Sequence, residues 1–110
     1  HLQLGVGGAV AETVGRLMHS LGGSRQVLAV THLPQVAACA DHHLVVSKRL
    51  HQGQIQSGVA AIAGEERVSE IARMLGGERL SDTTHAHARE MLTSMAQVTS
   101  SPTKKRAART

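Results

Sequence analysis

The 110-residue sequence contains no Phe, Tyr or Trp, although hydrophobic residues make up 41% of it. Aromatic side chains normally contribute a large share of the apolar surface that a domain buries. The core of this chain must therefore be built from Leu, Val, Ile, Met and Ala alone. This composition predicts either a domain of modest stability or a segment that packs against further polypeptide. The length suits one small domain and is too short for two.

The positive net charge comes from the last residues of the chain. The formal charge is +4, and the sequence before residue 104 is neutral because eight basic side chains balance eight acidic ones. The charge is supplied by Lys104, Lys105, Arg106 and Arg109. The high isoelectric point therefore does not indicate a basic folded surface that binds nucleic acid.

Cysteine usage and hydropathy indicate a cytoplasmic protein. Cys39 is the only cysteine, so no intrachain disulfide can form. No apolar run approaches the roughly 18 residues that a membrane span needs, and no signal peptide is visible. The sequence opens on His1 without a starting Met, which suggests a segment cut from a longer protein.

The first third of the sequence predicts a helix followed by a buried strand. Apolar residues recur at helical spacing over Gly8–Leu21: Val10, Val14, Leu17, Met18 and Leu21. Gly22 and Gly23 follow at the place of a left-handed C-cap. Residues 26–31 form a nearly continuous apolar run with β-branched residues, which is typical of a strand buried on both faces of a parallel α/β sheet.

A short helix and a β-hairpin are predicted next. Pro34 fits the first turn of a helix over residues 34–40, where its missing N–H costs nothing. Two strands are predicted over residues 41–50 and 54–62, joined by a turn at residues 52–53. Apolar side chains alternate along these strands at Leu44, Val46, Ile55, Val59 and Ala61.

Two further helices are predicted to close the fold. The first begins at residues 64–66, with acidic residues at its positive end, and residues 76–77 end it. Its apolar stripe consists of Val68, Ile71, Ala72 and Leu75. Ser81 or Asp82 caps the second helix. The buried face of this helix is expected to be Ala88, Met91, Leu92 and Met95.

The composition changes after residue 98. Ser, Thr, Pro, Lys and Arg dominate without hydrophobic periodicity, so residues 99–110 are expected to be a disordered basic tail after a folded segment of residues 1–98. The basic run could contact DNA phosphates, but such runs are more often solvated termini.

A polar cluster follows the predicted buried strand. Thr31, His32 and Gln35 lie at its carboxyl end, where open α/β sheets bind their ligands. A neutral imidazole in that position can donate one N–H to a phosphate oxygen. A histidine at a strand end can equally be structural, and these residues alone leave both interpretations open.

Five stretches of the sequence, in the same order, resemble the last part of proteins in the RecN family, which are SMC-like bacterial DNA-repair ATPases. The resemblance covers about residues 4–92. The stretches are Gly5-Val6-Gly7-Gly8, Thr31-His32-Leu33-Pro34-Gln35-Val36-Ala37-Ala38, Val46-Ser47-Lys48, the run from Glu66 to Gly77, and the run from Thr84 to Leu92. The second stretch is the most specific of the five.

The resemblance implies an α/β fold that is incomplete as a domain. It would be the C-terminal lobe of a P-loop ABC/SMC-type ATPase head: a helix, a buried strand, a short helix, a β-hairpin and two closing helices. The implied partners are the rest of the head, a second head in an ATP-dependent dimer, and DNA through the full-length protein. No membrane partner is implied, and the parent protein would be cytoplasmic and associated with the nucleoid.

The resemblance also assigns roles at a site for ATP and Mg²⁺. His32 looks like the switch histidine of the H-loop, which contacts the γ-phosphate and helps to hold the attacking water. The glycines Gly5, Gly7 and Gly8 look like the loop that meets the partner head across the nucleotide. Thr31 and Gln35 flank His32 and are expected to contribute to nucleotide binding.

The sequence departs from the family pattern at the catalytic acids. His1 stands at the catalytic Glu position and Gln3 at a loop Asp position. The Gly-rich phosphate loop with its Lys, and the Ser-Gly-Gly signature, do not occur in these 110 residues. Because the β- and γ-phosphates then lack a cradle, we expect no ATP hydrolysis by this chain alone. The alternative is a non-catalytic, degenerate head lobe that acts as a protein-interaction module, or a decayed gene fragment.

The eight histidines do not predict a metal site. His42 and His43 are adjacent and point to opposite faces of a strand, and His85 and His87 diverge on a helix. A zinc site needs three or four convergent ligands, so no metal is expected.

Overall fold

The computed structural model describes residues 7–76 and 81–109. In this part of the chain the fold is α/β, with four helices and one two-stranded antiparallel sheet. The elements follow in the order α1 (Gly8–Leu21), α2 (Pro34–Ala37), β1 (His43–His51), β2 (Gln54–Ile62), α3 (Gly64–Gly76) and α4 (Asp82–Arg109).

Helix α1 has the predicted bounds, but its apolar stripe is not the face that packs. Val10 and Leu17 of that stripe are 51% and 60% exposed. The buried residues of α1 are instead Ala11 and Gly15, because small residues let the neighbouring helix approach closely. The prediction of a left-handed C-cap was wrong: Gly22 is right-handed, with φ −64°, and its N–H donates to the carbonyl of Met18 at 3.0 Å.

The prediction of a buried strand over residues 26–31 was also wrong. The segment is irregular, and the side chains of Leu28 and Val30 are 82% and 97% exposed. A strand needs a neighbour that pairs its backbone N–H and C=O groups. Among the described residues the one ladder joins β1 to β2, so this apolar run has no strand beside it.

The β-hairpin confirms the predicted strands and turn. Its register runs from His43 opposite Ile62 to His51 opposite Gln54. The two turn residues, Gln52 and Gly53, both have positive φ, 51° and 79°, as a type I′ turn requires. The alternating apolar residues share one face of the hairpin but remain exposed, among them Leu44, Val46, Ile55 and Val59.

The core lies between α3, α4 and the segment that contains α2. Ile71 and Ala72 of α3 and Ala88 of α4 are completely buried. Partly buried methionine and leucine side chains extend the cluster: Met74, Leu75, Met91 and Leu92. The predicted packing faces of the two closing helices are therefore confirmed, and the core contains no aromatic side chain.

The sequence predicts a feature at each end of α4: a cap at Ser81 or Asp82 and a disordered tail from residue 99. Ser81 caps the start of the helix, because the Ser81 hydroxyl accepts a hydrogen bond from the Thr84 N–H at 3.1 Å. A disordered tail was expected from residue 99, and the backbone described there is helical to Arg109. Gly77, expected to end α3 together with Gly76, lies outside the described residues. The division at residue 98 stays a prediction.

Candidate functional site

The segment from Thr31 to Gln35 forms a tight turn into α2. The Thr31 hydroxyl oxygen accepts a hydrogen bond from the Leu33 N–H at 2.9 Å, which bends the backbone around His32. Leu33 is the extended N-cap of α2, and Pro34 occupies the first turn as predicted. The imidazole of His32 is exposed at the bend, so a ligand can reach it.

The start of α1 lies beside α2. A Cβ placed on Gly8 would lie 3.4 Å from the Gln35 side-chain nitrogen, so the backbone of α1 passes close to that amide. Gly7 is the extended N-cap of α1 and provides no side-chain cap, and the first turn contains no acidic residue. The structure thus brings Gly8 close to the Gln35 side chain, whereas a Cβ on Gly7 would meet nothing within 4 Å. Gly5, the remaining predicted residue, lies outside the described residues.

Helix α2 and the Cys39 that follows it pack very closely against Gly15 of α1, a contact that we call the Gly15 seam. A Cβ on Gly15 would lie 2.7 Å from the Cys39 sulfur and 3.1 Å from the Gln35 carbonyl oxygen. The Cys39 thiol donates a weak hydrogen bond to that carbonyl at 3.4 Å. Burial raises the pKa of the thiol, and the nearby Arg16 partly opposes this. The cysteine therefore acts as a neutral packing group.

Arg67 joins α3 to the other end of α2. Its guanidinium donates to the carbonyl oxygens of Ala37 at 3.0 Å and Ala40 at 2.8 Å. Burial lowers the pKa of Arg67, and the negative charge of Asp41 opposes that shift. The sequence analysis did not single out this residue. The available signal was its spacing, because Arg67 lies one helical turn before the buried Ile71 on the same face of α3.

Next to Arg67, a shallow cleft contains a partly buried histidine. His43 Nδ1 is buried and has no hydrogen-bond partner among the residues that the structure describes. Burial lowers the pKa of His43, the positive charge of Arg67 lowers it further, and Glu70 opposes both. Asp41 and Glu66 also line the cleft. His43 is neutral near pH 7 and supports the fold there.

Over residues 7–76 and 81–109, no group of three or more His, Cys, Asp and Glu side chains is arranged to hold a metal ion. Within the same residues, no helix has the length and apolar character needed to cross a membrane.

Comparison with known proteins shows which proteins the chain is similar to. No protein-family model matches it. It is 51% identical over 88 residues to the DNA repair protein RecN of Streptomyces coelicolor, and 43% identical over 91 and 94 residues to the RecN proteins of Vibrio cholerae and Bacillus subtilis. These matches cover 80%, 83% and 86% of this chain. They cover only 15–16% of the relatives, so the chain spans about a sixth of their length.

The chain therefore belongs to a family whose named members are DNA repair proteins. That family is the RecN family, and the chain corresponds to the C-terminal part of the family's members. The resemblance to the RecN family, inferred from five stretches within residues 4–92, is confirmed.

Proposed function

We propose that this chain is the part of a RecN-type DNA-repair ATPase that carries the γ-phosphate-sensing histidine, His32. The observation that carries the proposal is the turn at His32. It exposes the imidazole immediately before α2 and beside the glycine-rich start of α1. The relatives are named DNA repair proteins, and the role in repair is proposed for this chain through them.

The surroundings of His32 suit an anionic ligand. The imidazole can donate an N–H to a phosphate oxygen. Among the described residues, the first turn of α1 has no side-chain cap and no acidic residue, so none of these groups neutralises the positive end of its dipole. Thr31 and Gln35 contribute further polar groups on either side of the histidine.

The remaining parts of the proposed ATP site would be supplied by other residues of a RecN-length protein. The 110 residues contain no Gly-x-x-x-x-Gly-Lys sequence, so the phosphate cradle and the carboxylates for Mg²⁺ must come from elsewhere. The same holds for the second head and for DNA binding. The exposure of Leu28 and Val30 supports this proposal, because a neighbouring strand from the rest of the head would cover them.

The test uses a RecN-length protein in which residues 4–92 of this chain replace the matching segment of the Bacillus subtilis relative, so that the relative keeps its own residues at the positions of His1 and Gln3. In that protein, His32→Ala is expected to lower the turnover number for ATP by roughly 100- to 1000-fold, the usual loss for one preorganised donor. ATP binding is expected to stay close to the parent value. His51→Ala is the matched control, since His51 is exposed at the hairpin end. Turnover near the parent rate in the His32→Ala protein would refute the proposed role.

The second candidate is a non-catalytic lobe that binds a partner protein and never meets ATP. The exposed apolar face of the β-hairpin favours it, because such a face is a potential protein contact. Under this alternative, the grafted protein would bind ATP but hydrolyse it no faster than the His32→Ala variant. Under both candidates, the 110-residue chain alone is expected to show no ATP binding in a titration.

A further inference from the structure

We infer that Arg67 is a positioning residue for His32, acting through α2 and the turn that precedes it. The inference rests on the proposed function, because it assigns Arg67 a part in the geometry of the same ATP site. Arg67 belongs to α3 and donates to the carbonyl oxygens of Ala37 and Ala40. Its effect would pass through backbone groups.

The first step is the contact between Arg67 and the far end of α2. Ala37 is the last residue of that helix, and its carbonyl accepts from the Ala40 N–H at 3.2 Å as well as from Arg67. One guanidinium nitrogen donates both to this carbonyl and to that of Ala40. Two backbone positions, three residues apart, are thus tied to a single side chain of α3.

The second step is that α2 is too short to hold its own position. It has four residues, and an isolated helix of that length is unstable in water because its first turn is costly to form. Its orientation must therefore come from its contacts. Those contacts are the Gly15 seam on α1, the apolar core in which Ala37 is buried, and Arg67 on α3.

The third step connects α2 to the histidine. The N–H groups of Val36 and Ala37 donate to the carbonyl of Leu33, both at 3.1 Å. The Leu33 N–H in turn donates to the Thr31 hydroxyl. Hydrogen bonds therefore run from Arg67 through α2 to the residues on both sides of His32. A shift of the Ala37 end of α2 would displace the imidazole.

Arginine suits this role better than lysine. Its planar guanidinium has a fixed donor geometry, whereas a lysine ammonium is a compact charge on a flexible stem. Arg67 also shares the core-facing side of α3 with Ile71, so packing restrains its stem. The identity of the residue therefore determines how firmly α2 is held.

The kinetic test uses the same grafted RecN-length protein. Arg67→Met removes the donors and keeps the length of the side chain. A misplacement of about 1 Å in an active site can cost about 100-fold in rate, so kcat is expected to fall by roughly that factor, with KM for ATP nearly unchanged. Arg67→Lys is expected to restore part of kcat, because one ammonium can still donate to a carbonyl.

The matched control is Arg73→Gln. Arg73 lies on the same helix, is exposed, and pairs with Glu70 at 2.5 Å and not with α2. Its replacement is expected to leave kcat within about twofold of the parent. If Arg67→Met and Arg73→Gln lowered kcat equally, or if Arg67→Met raised KM and left kcat alone, the positioning role would be overturned. Thermal unfolding of each variant shows that the comparison is made between folded proteins.

A second measurement keeps this inference separate from the ATPase proposal. In histidine-ring NMR spectra of the 110-residue chain, Arg67→Met is expected to shift the His32 signals and leave those of His51 and His87 in place. Arg73→Gln is expected to shift none of the three. An unmoved His32 signal would refute the positioning role even if His32→Ala abolished turnover. A moved signal with normal turnover in His32→Ala would instead refute the proposed function alone.

Discussion

Gly15 of α1 lies against Cys39 so closely that a Cβ on the glycine would stand 2.7 Å from the cysteine sulfur. The contact holds α1 against the segment that follows α2, and it explains why a glycine occupies the middle of a helix. Glycine there costs about 0.5–1 kcal/mol relative to alanine, which the close approach of the two segments offsets.

The first prediction concerns this seam. Gly15→Ala is expected to lower the free energy of unfolding by about 1–3 kcal/mol, because overpacking a tight contact outweighs the gain in helix propensity. Urea denaturation measures the difference. The matched control is Gly8→Ala, whose new Cβ would only reach ordinary contact with Gln35; it is expected to change stability by less than about 0.5 kcal/mol.

A double variant sharpens the same prediction. Cys39→Ala removes the sulfur that the new Cβ would meet, so Gly15→Ala should cost less in the Cys39→Ala background. Contacting residues typically show interaction energies of about 0.5–3 kcal/mol. Strict additivity of the two single changes would mean that the sulfur is not the obstacle.

The second prediction concerns the centre of the core. Ile71 is completely buried, and Ile71→Ala is expected to lower the free energy of unfolding by about 2–5 kcal/mol through lost apolar contact and the cavity left behind. Ile71→Val is expected to cost about 0.5–1.5 kcal/mol. Ile55→Ala provides the control, since Ile55 is 73% exposed. If Ile55→Ala lowered the free energy of unfolding as much as Ile71→Ala, the core would lie elsewhere.

The third prediction concerns the start of α4. Ser81→Ala removes the oxygen that accepts from the Thr84 N–H and is expected to destabilise the chain by about 1 kcal/mol. Ser81→Asp should retain most of the stability, because a carboxylate also caps a helix start. Ser94→Ala, at an exposed position within the same helix, is the control and should be nearly neutral. Equal midpoints for the two alanine variants in thermal unfolding would contradict the capping role.

The fourth prediction is a pH dependence that originates at His43. Burial and the charge of Arg67 lower its pKa below the ordinary 6.5, so the unfolded chain binds a proton that the folded chain excludes. The contribution of His43 to stability is therefore complete above pH 6.5 and is lost as the pH falls from there towards the lowered value.

Urea denaturation at several pH values above and below pH 6.5 tests this dependence of stability on pH. His43→Gln is expected to flatten the fall in stability on the acid side, because glutamine does not titrate. His51→Gln, on the same strand but exposed, is the matched control. An unchanged acid slope in the His43→Gln chain would show that the histidine is not the source.

Most elements were predictable because their signals are local. The apolar periodicity of Gly64–Gly76 and the Gln52-Gly53 turn each act over a few residues, and the structure has both. Residues 26–31 were wrongly predicted to be a strand. A strand needs a neighbouring strand to pair with, and a local sequence pattern does not show whether one is present. The packing of α1 through Ala11 and Gly15 likewise depends on what lies opposite.

The candidate site, like the fold, could be predicted only in part from the sequence. The turn at His32 was predictable, since Pro34 starts a helix and Thr31 can bond to the backbone two residues on. Arg67 was not, because its partners at Ala37 and Ala40 lie 30 and 27 residues away in sequence. Only the three-dimensional packing of α3 against the end of α2 shows what that side chain does.

The single thiol also makes the opening of the tight seam between α1 and the α2 segment measurable. Cys39 is 4% exposed, so a thiol reagent can modify it only when the packing of α1 and of the core around it opens. Since no other cysteine competes, the labelling rate of the unaltered protein reports how often that seam opens. Because the same segment carries His32, the labelling rate also reports how firmly the turn at His32 is held in place.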